Sequence, residues 1–254
     1  MIIAMSKGIV NSHIQMPKSV LKRFERDGKL FYYDVENGFI GNNGHAKSIN
    51  TESGYYSQEI EDYLRDTVEA PFGNLLKSID EINLEADSFI SSDFDETVKT
   101  FVYALLSRSP MMLTSIDKAS VFFQFMNKQD RHDYAAHAGI EFAKKQNILS
   151  KFISTIAINR SSTPFVLPIC GLYTIRISHA DCIVIPVSPE TAVVLVPKES
   201  GLNIIRGGKI MFLMFAEDSA IQRLNRTAFR TQVQYNYGCV VSPSKVALEQ
   251  SREM

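Results

Sequence analysis

At Thr163-Pro164 the hydrophobic period of this chain changes, and that change constrains the fold more than any other feature. Before it, apolar residues recur at helical spacing; after it, they come in short runs suited to strands. On the helical side, Ile60, Leu64, Val68, Phe72, Leu75, Leu76 and Ile79 line one face, with Ser57 placed as an N-cap and Pro71 bending or dividing the segment. Further helices are expected from 92–93 to Pro110, from 114–115 through Met126, over 129–147 and over 148–159. On the strand side the runs are 165–169, 173–177, 181–186 and 191–197. Val187-Ser188-Pro189-Glu190 joins the last two with residues fit for an antiparallel hairpin. Residues 209–215 and 235–241 read as further strands. Between them, a helix over 219–230 turns Ile221, Leu224 and Phe229 inward and Arg223, Arg226 and Arg230 outward.

The N-terminal stretch follows the same logic. Asn11, Ser12 and His13 precede Pro17, which suits the first turn of a helix because its missing N–H costs nothing there. A helix over 17–26 buries Val20, Leu21 and Phe24 and sets Lys18, Lys22, Arg23 and Arg26 on the other face. Asp27-Gly28 turns the chain into an aromatic-rich strand over 29–35. Residues 36–54, dense in Gly, Asn and Ser, read as a loop, and the charged tail 245–254 reads as loose. The expected fold is α+β in one domain over 1–254: a helical middle, helix-rich over 55–160, and a mostly antiparallel sheet. The N-terminal strand and the strand-rich segment 164–242 build that sheet.

Composition narrows the function classes. With 27 Lys and Arg against 28 Asp and Glu, the net charge is -1, which excludes a broad electrostatic footprint for nucleic acid and leaves room for a local basic patch. No run of about 18 apolar residues is present, so neither a transmembrane helix nor a membrane partner is expected. The apolar start of the chain is too short for a secretory signal. Cys170, Cys182 and Cys239 are odd in number, scattered and without metal-site spacing, as reduced thiols of a cytoplasmic protein would be. No phosphate-cradling G-x-x-x-x-G-K-[ST], His-Glu-x-x-His or Gly-x-Ser-x-Gly pattern occurs.

Each candidate site residue carries two readings. Asn11, Ser12 and His13 either cap the following helix or satisfy buried backbone groups, or else offer His13 as a general acid/base or ligand, since an unperturbed imidazole titrates at about 6.5. Lys18, Lys22 and Arg23 are either a solvated face or the holder of a phosphate backbone. Glu59, with Glu61 and Asp62, either favours the helix dipole or forms a carboxylate site with His13 that binds a divalent metal for phosphodiester cleavage. Arg108 either ends its helix as a favourable cation or clamps an anion or a carboxylate of the 59–62 turn. The cluster Arg131-His132-Asp133-Tyr134-Ala-Ala-His137 places Asp133 and His137 on one helix face, though His132 lies about 140° from His137. The run Val121-Phe-Phe-Gln-Phe-Met126 is either a core face or a partner-binding stripe.

Taken together these segments resemble the uncharacterised bacterial family known as domain of unknown function 4238. The resemblance rests on Asn11, His13, Ile14 and Pro17, on Leu21, Lys22 and Phe24, and on Phe31-Tyr-Tyr-Asp34. It continues through Glu59-Ile-Glu-Asp-Tyr-Leu64, Arg108-Ser-Pro110, Pro186-Val-Ser-Pro189, Leu224-Asn225 and the segment 235–241. Where the family has a Ser-Asp-x-Pro element entering the C-terminal sheet, this chain reads Thr163-Pro-Phe-Val-Leu-Pro-Ile-Cys170, without the aspartate. The resemblance implies no established reaction. The expected function is that of an accessory or effector protein, a hydrolase of toxin or phage-defence type acting on nucleic acid, with His13, Glu59 and Arg108 as its chemistry. Asn11, Lys18, Lys22 and Arg23 would hold the substrate, and a divalent metal is the cofactor such chemistry would use. The alternative is a non-enzymatic module that docks a protein partner through the aromatic helix 115–127.

Overall fold

The apolar run 191–197 is buried over nearly its full length because helices cover both faces of the sheet in which it lies. The computed structural model describes residues 11–81, 88–89, 93–109, 112–114, 125–202, 204–206 and 209–253, apart from the side chains of Asn11, Ser88 and Phe89. Its first half opens with β1 (Asn11–His13), α1 (Lys18–Leu21), which runs into a 3-10 turn at Lys22–Phe24, β2 (Leu30–Asp34), β3 (Phe39–Gly44) and β4 (Thr51–Ser53). There follow α2 (Gln58–Leu64), a π turn at Arg65–Glu69, α3 (Ala70–Glu81), β5 (Ser88–Phe89), α4 (Phe94–Ser107) and α5 (Lys128–Gln146). The second half holds β6 (Phe152–Asn159), β7 (Leu167–Pro168), β8 (Tyr173–Ile177), β9 (Ala180–Pro186), β10 (Thr191–Pro197), β11 (Ile205–Arg206), β12 (Lys209–Met211) and β13 (Leu213–Phe215). It closes with α6 (Asp218–Tyr235), β14 (Cys239–Ser242) and α7 (Lys245–Arg252).

The fold is α+β, with helices and several mostly antiparallel sheets. A sheet ordered β13-β6-β10-β9-β8 is antiparallel except for the parallel β13–β6 pair. A second sheet, β3-β2-β14-β7, joins the two ends of the chain. Period-two alternation sends Val193 and Leu195 of β10 into one core with α1 to α5, and Ala192, Val194 and Val196 into another with α6 and α7. The second sheet divides the same way: Cys239 and Val241 face the first core, Val240 the second. The result is three layers, with sheet in the middle.

Several expectations need correction. Residues 148–159 are not a fifth helix. Asn147, left-handed at φ 47, ends α5, and Ile153, Thr155, Ile156 and Ile158 then make the β-branched strand β6. The glycine-rich segment 36–54 is not simply loop: it contains β3 and β4, and a Cβ at Gly41 would collide with the Tyr32 ring on the neighbouring strand. The tail is ordered as α7, capped by Ser244 and burying Ala247 and Leu248. The strand expected at 235–241 begins at Cys239, because α6 extends to Tyr235 and is stopped by left-handed Asn236. The run 165–169 is a strand only at Leu167–Pro168. Asn225 of α6 accepts from Val166 N and donates to Pro164 O, and Gln232 accepts from Cys170 N, so helix side chains replace the ladder there. The aromatic helix expected over 115–127 falls mostly on residues 115–124, which lie outside those described.

Candidate functional site

Pro71 breaks the helical ladder that α2 would otherwise continue, and the chain answers with the π turn just before it. That turn carries Glu69. Arg108, the C-cap of α4, reaches it: Arg108 Nη1 donates to Glu69 Oε1 at 3.4 Å and Arg108 Nε to Ala104 O at 3.2 Å. The Arg108 side chain is only 1% exposed, and among the described residues its buried Nη2 has no hydrogen-bond partner. A buried guanidinium with one orphaned donor is costly unless something fills the vacancy in its bonding.

Around this cation the fold gathers titratable groups from four elements. β1, held to β4 in antiparallel register, supplies Ser12 and His13, so this trio is a strand rather than a helix cap; α1 is opened by Pro17 without any side-chain cap bond. His13 Nε2 meets Ala46 O at 2.8 Å. When Nε2 carries the proton for that bond, Nδ1 is left with a free lone pair. Burial lowers the His13 pKa below 6.5 and outweighs the Ala46 bond and the Glu69 charge, which raise it; Lys18 and Arg108 lower it further. α2 supplies Glu61, whose carboxyl is pushed up by burial and by Glu69 and drawn down by Ser12 and Arg108. The Ser12 hydroxyl faces that carboxylate, but among the described residues it lies outside hydrogen-bond geometry with any group.

A polar frame holds the cluster. Gln15 donates from Nε2 to Arg108 O at 3.4 Å and accepts from the Tyr237 hydroxyl, which ties the segment after β1 to the turn after α6. Tyr56, fully buried, donates to Ile14 O at 3.2 Å. Asp133 of α5 accepts from Ser57 N at 3.0 Å, and His132 stacks on Tyr55 with ring centroids 3.8 Å apart. His137, one turn further along the same face of α5 as Asp133, packs its ring edge-on against Tyr63 of α2.

The structure therefore brings His13 and Arg108 into one electrostatic neighbourhood and leaves Glu59 out of it. Glu59 is exposed on the first turn of α2, and the carboxylates coupled to His13 and Arg108 are Glu69 and Glu61. Glu61 stands close to Glu59 in the sequence, and two positions further along the helix it points to a different side. Lys18 and Lys22 are exposed, as expected, with Lys18 near enough to influence His13. Arg23 is engaged within the fold: it pairs with Asp80 through two bonds of 2.6 and 2.5 Å and donates to Val187 O at 2.8 Å. The side chain of Asn11 lies outside the described atoms. Glu69 and Gln15 carried no motif; the one signal for Glu69 was its place just ahead of a helix-breaking proline.

Among the described residues no group of three or more His, Cys, Asp or Glu side chains is placed to hold a metal ion. The three cysteines are buried free thiols, with Cys170 and Cys239 pushed up to about 12 by burial, which makes them poor nucleophiles. Among the described residues no helix is long and apolar enough to cross a membrane.

The burial of these imidazoles makes stability depend on pH. His13 and His132 both titrate below 6.5 in the fold, chiefly through burial, whereas the unfolded chain takes up those protons at about 6.5. Their contribution is complete above that pH and is lost as pH falls through the folded values. Glu61 has the opposite sign, since its raised pKa penalises the fold at high pH and the penalty is relieved on acidification. With two histidines against one carboxyl, the urea midpoint should fall between pH 7.5 and 5.5. A His13→Gln variant should show a smaller fall. Equal slopes in both proteins would remove His13 from this account.

No family model, no curated protein and no solved structure matches the chain significantly.

Proposed function

We propose that the chain is a hydrolase acting on nucleic acid, with its chemistry at the His13–Glu61–Arg108 cluster. The observation that carries this reading is the unpaired, buried Nη2 of Arg108 beside a histidine and a carboxyl whose pKa values are moved toward each other. Groups shifted in this way suit a base and an acid working near neutrality. His13, neutral, takes the proton of the attacking water and passes it to solvent; Glu61, in the protonated form that its raised pKa favours, gives a proton to the leaving oxygen; Arg108 offsets charge that develops on the phosphate. Lys18 and Lys22 extend the positive face toward the substrate backbone. The resemblance to domain of unknown function 4238, and with it a cytoplasmic bacterial accessory or effector role in toxicity or phage defence, belongs to the same proposal.

The test is cleavage of labelled RNA and DNA, with and without Mg2+ or Mn2+, by wild type and His13→Gln. Gln can keep a donor near Ala46 O, so the fold should survive while the base is lost. The expected result is a fall in rate of about 100-fold or more with little change in melting temperature. The wild-type rate should rise with pH as His13 loses its proton, below 6.5, and fall as Glu61 loses its own, a bell-shaped profile. An inert wild type, or a fully active variant, would sink the proposal.

A second reading is favoured by the near-complete burial of the Arg108 side chain. On it the cluster is a brace that locks β1 to α4 and the π turn, and the chain is an interaction module that docks a protein partner. An inert wild type that is destabilised by loss of Arg108 would support this reading.

A further inference from the structure

The outer face of α6 has a use that the cluster at His13 does not absorb. Arg223, Arg226 and Arg230 are exposed, and their spacing of three and four residues puts them in one row along about 10 Å of helix axis. Among the described residues none of the three has an acidic partner. The row runs into a groove of about 360 Å3 between α6, α7 and β2. Tyr33, Phe229 and Val233 line it, and Arg230 and Arg252 stand at its rim. The Tyr33 and Phe229 rings lie 4.7 Å apart, and the Arg252 guanidinium sits over the Tyr33 ring at 5.6 Å.

We infer that this surface binds single-stranded nucleic acid, with backbone phosphates on the arginine row and an unstacked base in the groove. Arginine suits phosphate because its planar fork matches two oxygens at once. At the end of the cationic row the exposed Arg252 guanidinium, lying over the Tyr33 ring, provides the second half of single-strand recognition, a flat face for a base to stack on. A duplex keeps its bases paired and stacked, so it reaches only the row. An acidic peptide would also reach the row, but it brings no flat apolar group at each charge. The whole chain has a net charge of -1, so the row is a local feature. The inference shares its substrate class with the proposed hydrolase but stands on different residues.

Fluorescence anisotropy with a labelled oligothymidylate of about 12 nucleotides tests it, using His13→Gln full-length protein so that cleavage cannot interfere. Arg226→Glu with Arg230→Glu should weaken binding at least tenfold and flatten the salt dependence by about 1.4 in log–log slope, two single-strand phosphate contacts' worth. Val233→Glu, at an exposed groove position, should weaken the oligonucleotide while leaving the circular dichroism spectrum unchanged. Binding that ignores these substitutions, a duplex that binds as tightly as the single strand, or an acidic peptide of equal charge that binds better would each overturn the inference. Binding that responds to the arginines in a protein that cleaves nothing would keep this inference and end the hydrolase proposal. Cleavage indifferent to the arginines would do the reverse.

Discussion

Arg108→Ala is expected to destabilise the protein by about 3 kcal/mol, at the lower end of the 3–5 kcal/mol typical when one partner of a buried pair is removed. Two effects add. Truncating a side chain that is 1% exposed leaves a void beneath the end of α4, and it leaves Glu69 facing Glu61 without the cation between them. The estimate sits at the low end because Glu69 is 30% exposed and can turn toward water. Arg108→Met fills most of the same volume without the charge, and a loss of about 1–2 kcal/mol is expected there. Urea denaturation of the three proteins at one pH separates the contributions. Equal losses in the two variants would make the charge, not the packing, decisive. If neither variant loses stability, the guanidinium braces nothing, and only a role toward a ligand explains its burial.

Phe101→Ala should cost about 4 kcal/mol, the usual range for a large aromatic deleted from a close-packed core. Phe101 of α4 stacks on Phe72 of α3 with centroids 3.7 Å apart and planes 2° from parallel, and both rings are at most 1% exposed. This pair joins α3, displaced by the π turn, to the central helix of its layer. Phe101→Leu, which keeps half of the contact, should lose roughly 1–2 kcal/mol. Neither change touches the His13 cluster directly. Any cleavage activity measured well below the melting temperature should therefore survive Phe101→Leu. A variant that is stable but inactive would show that the α3–α4 contact also positions Arg108.

What could be read in advance was governed by how local the determining physics is. The β9–β10 hairpin, the amphipathic α4 and the arginine row of α6 follow from neighbours within a few residues; the first two stood in the sequence at nearly their observed bounds, while α6 runs five residues past its expected end at Arg230. β6 did not, because Ile148-Leu149 carries an apolar pattern over from α5, and only the left-handed turn at Asn147 separates the two. β3 was hidden because its glycines, which usually mark loops, are there to admit the Tyr32 ring from the next strand. In the site, His13 and Arg108 were legible as chemically able residues near structural breaks. Their convergence was not, since it depends on the π turn and on a strand pairing between residues 11–13 and 51–53. For the same reason Glu59 could not be told from Glu61 until the helix had a fixed orientation against β1.

The second sheet has a consequence for how the chain acquires its shape. Its central pairing sets Cys239–Ser242 against Phe31–Asp34, so the strands that meet there are separated by some two hundred residues of sequence. Such a contact cannot form during synthesis until the last strand has emerged, and closing so long a loop slows the search. Until then the aromatic edge of β2 is open on one side, a surface able to pair with another chain. The nascent protein should thus pass through a stage in which its helical layer is assembled but its closing strand is missing. Shortening the chain before residue 239 would trap that stage permanently, and a chaperone that shields strand edges would have its greatest effect there.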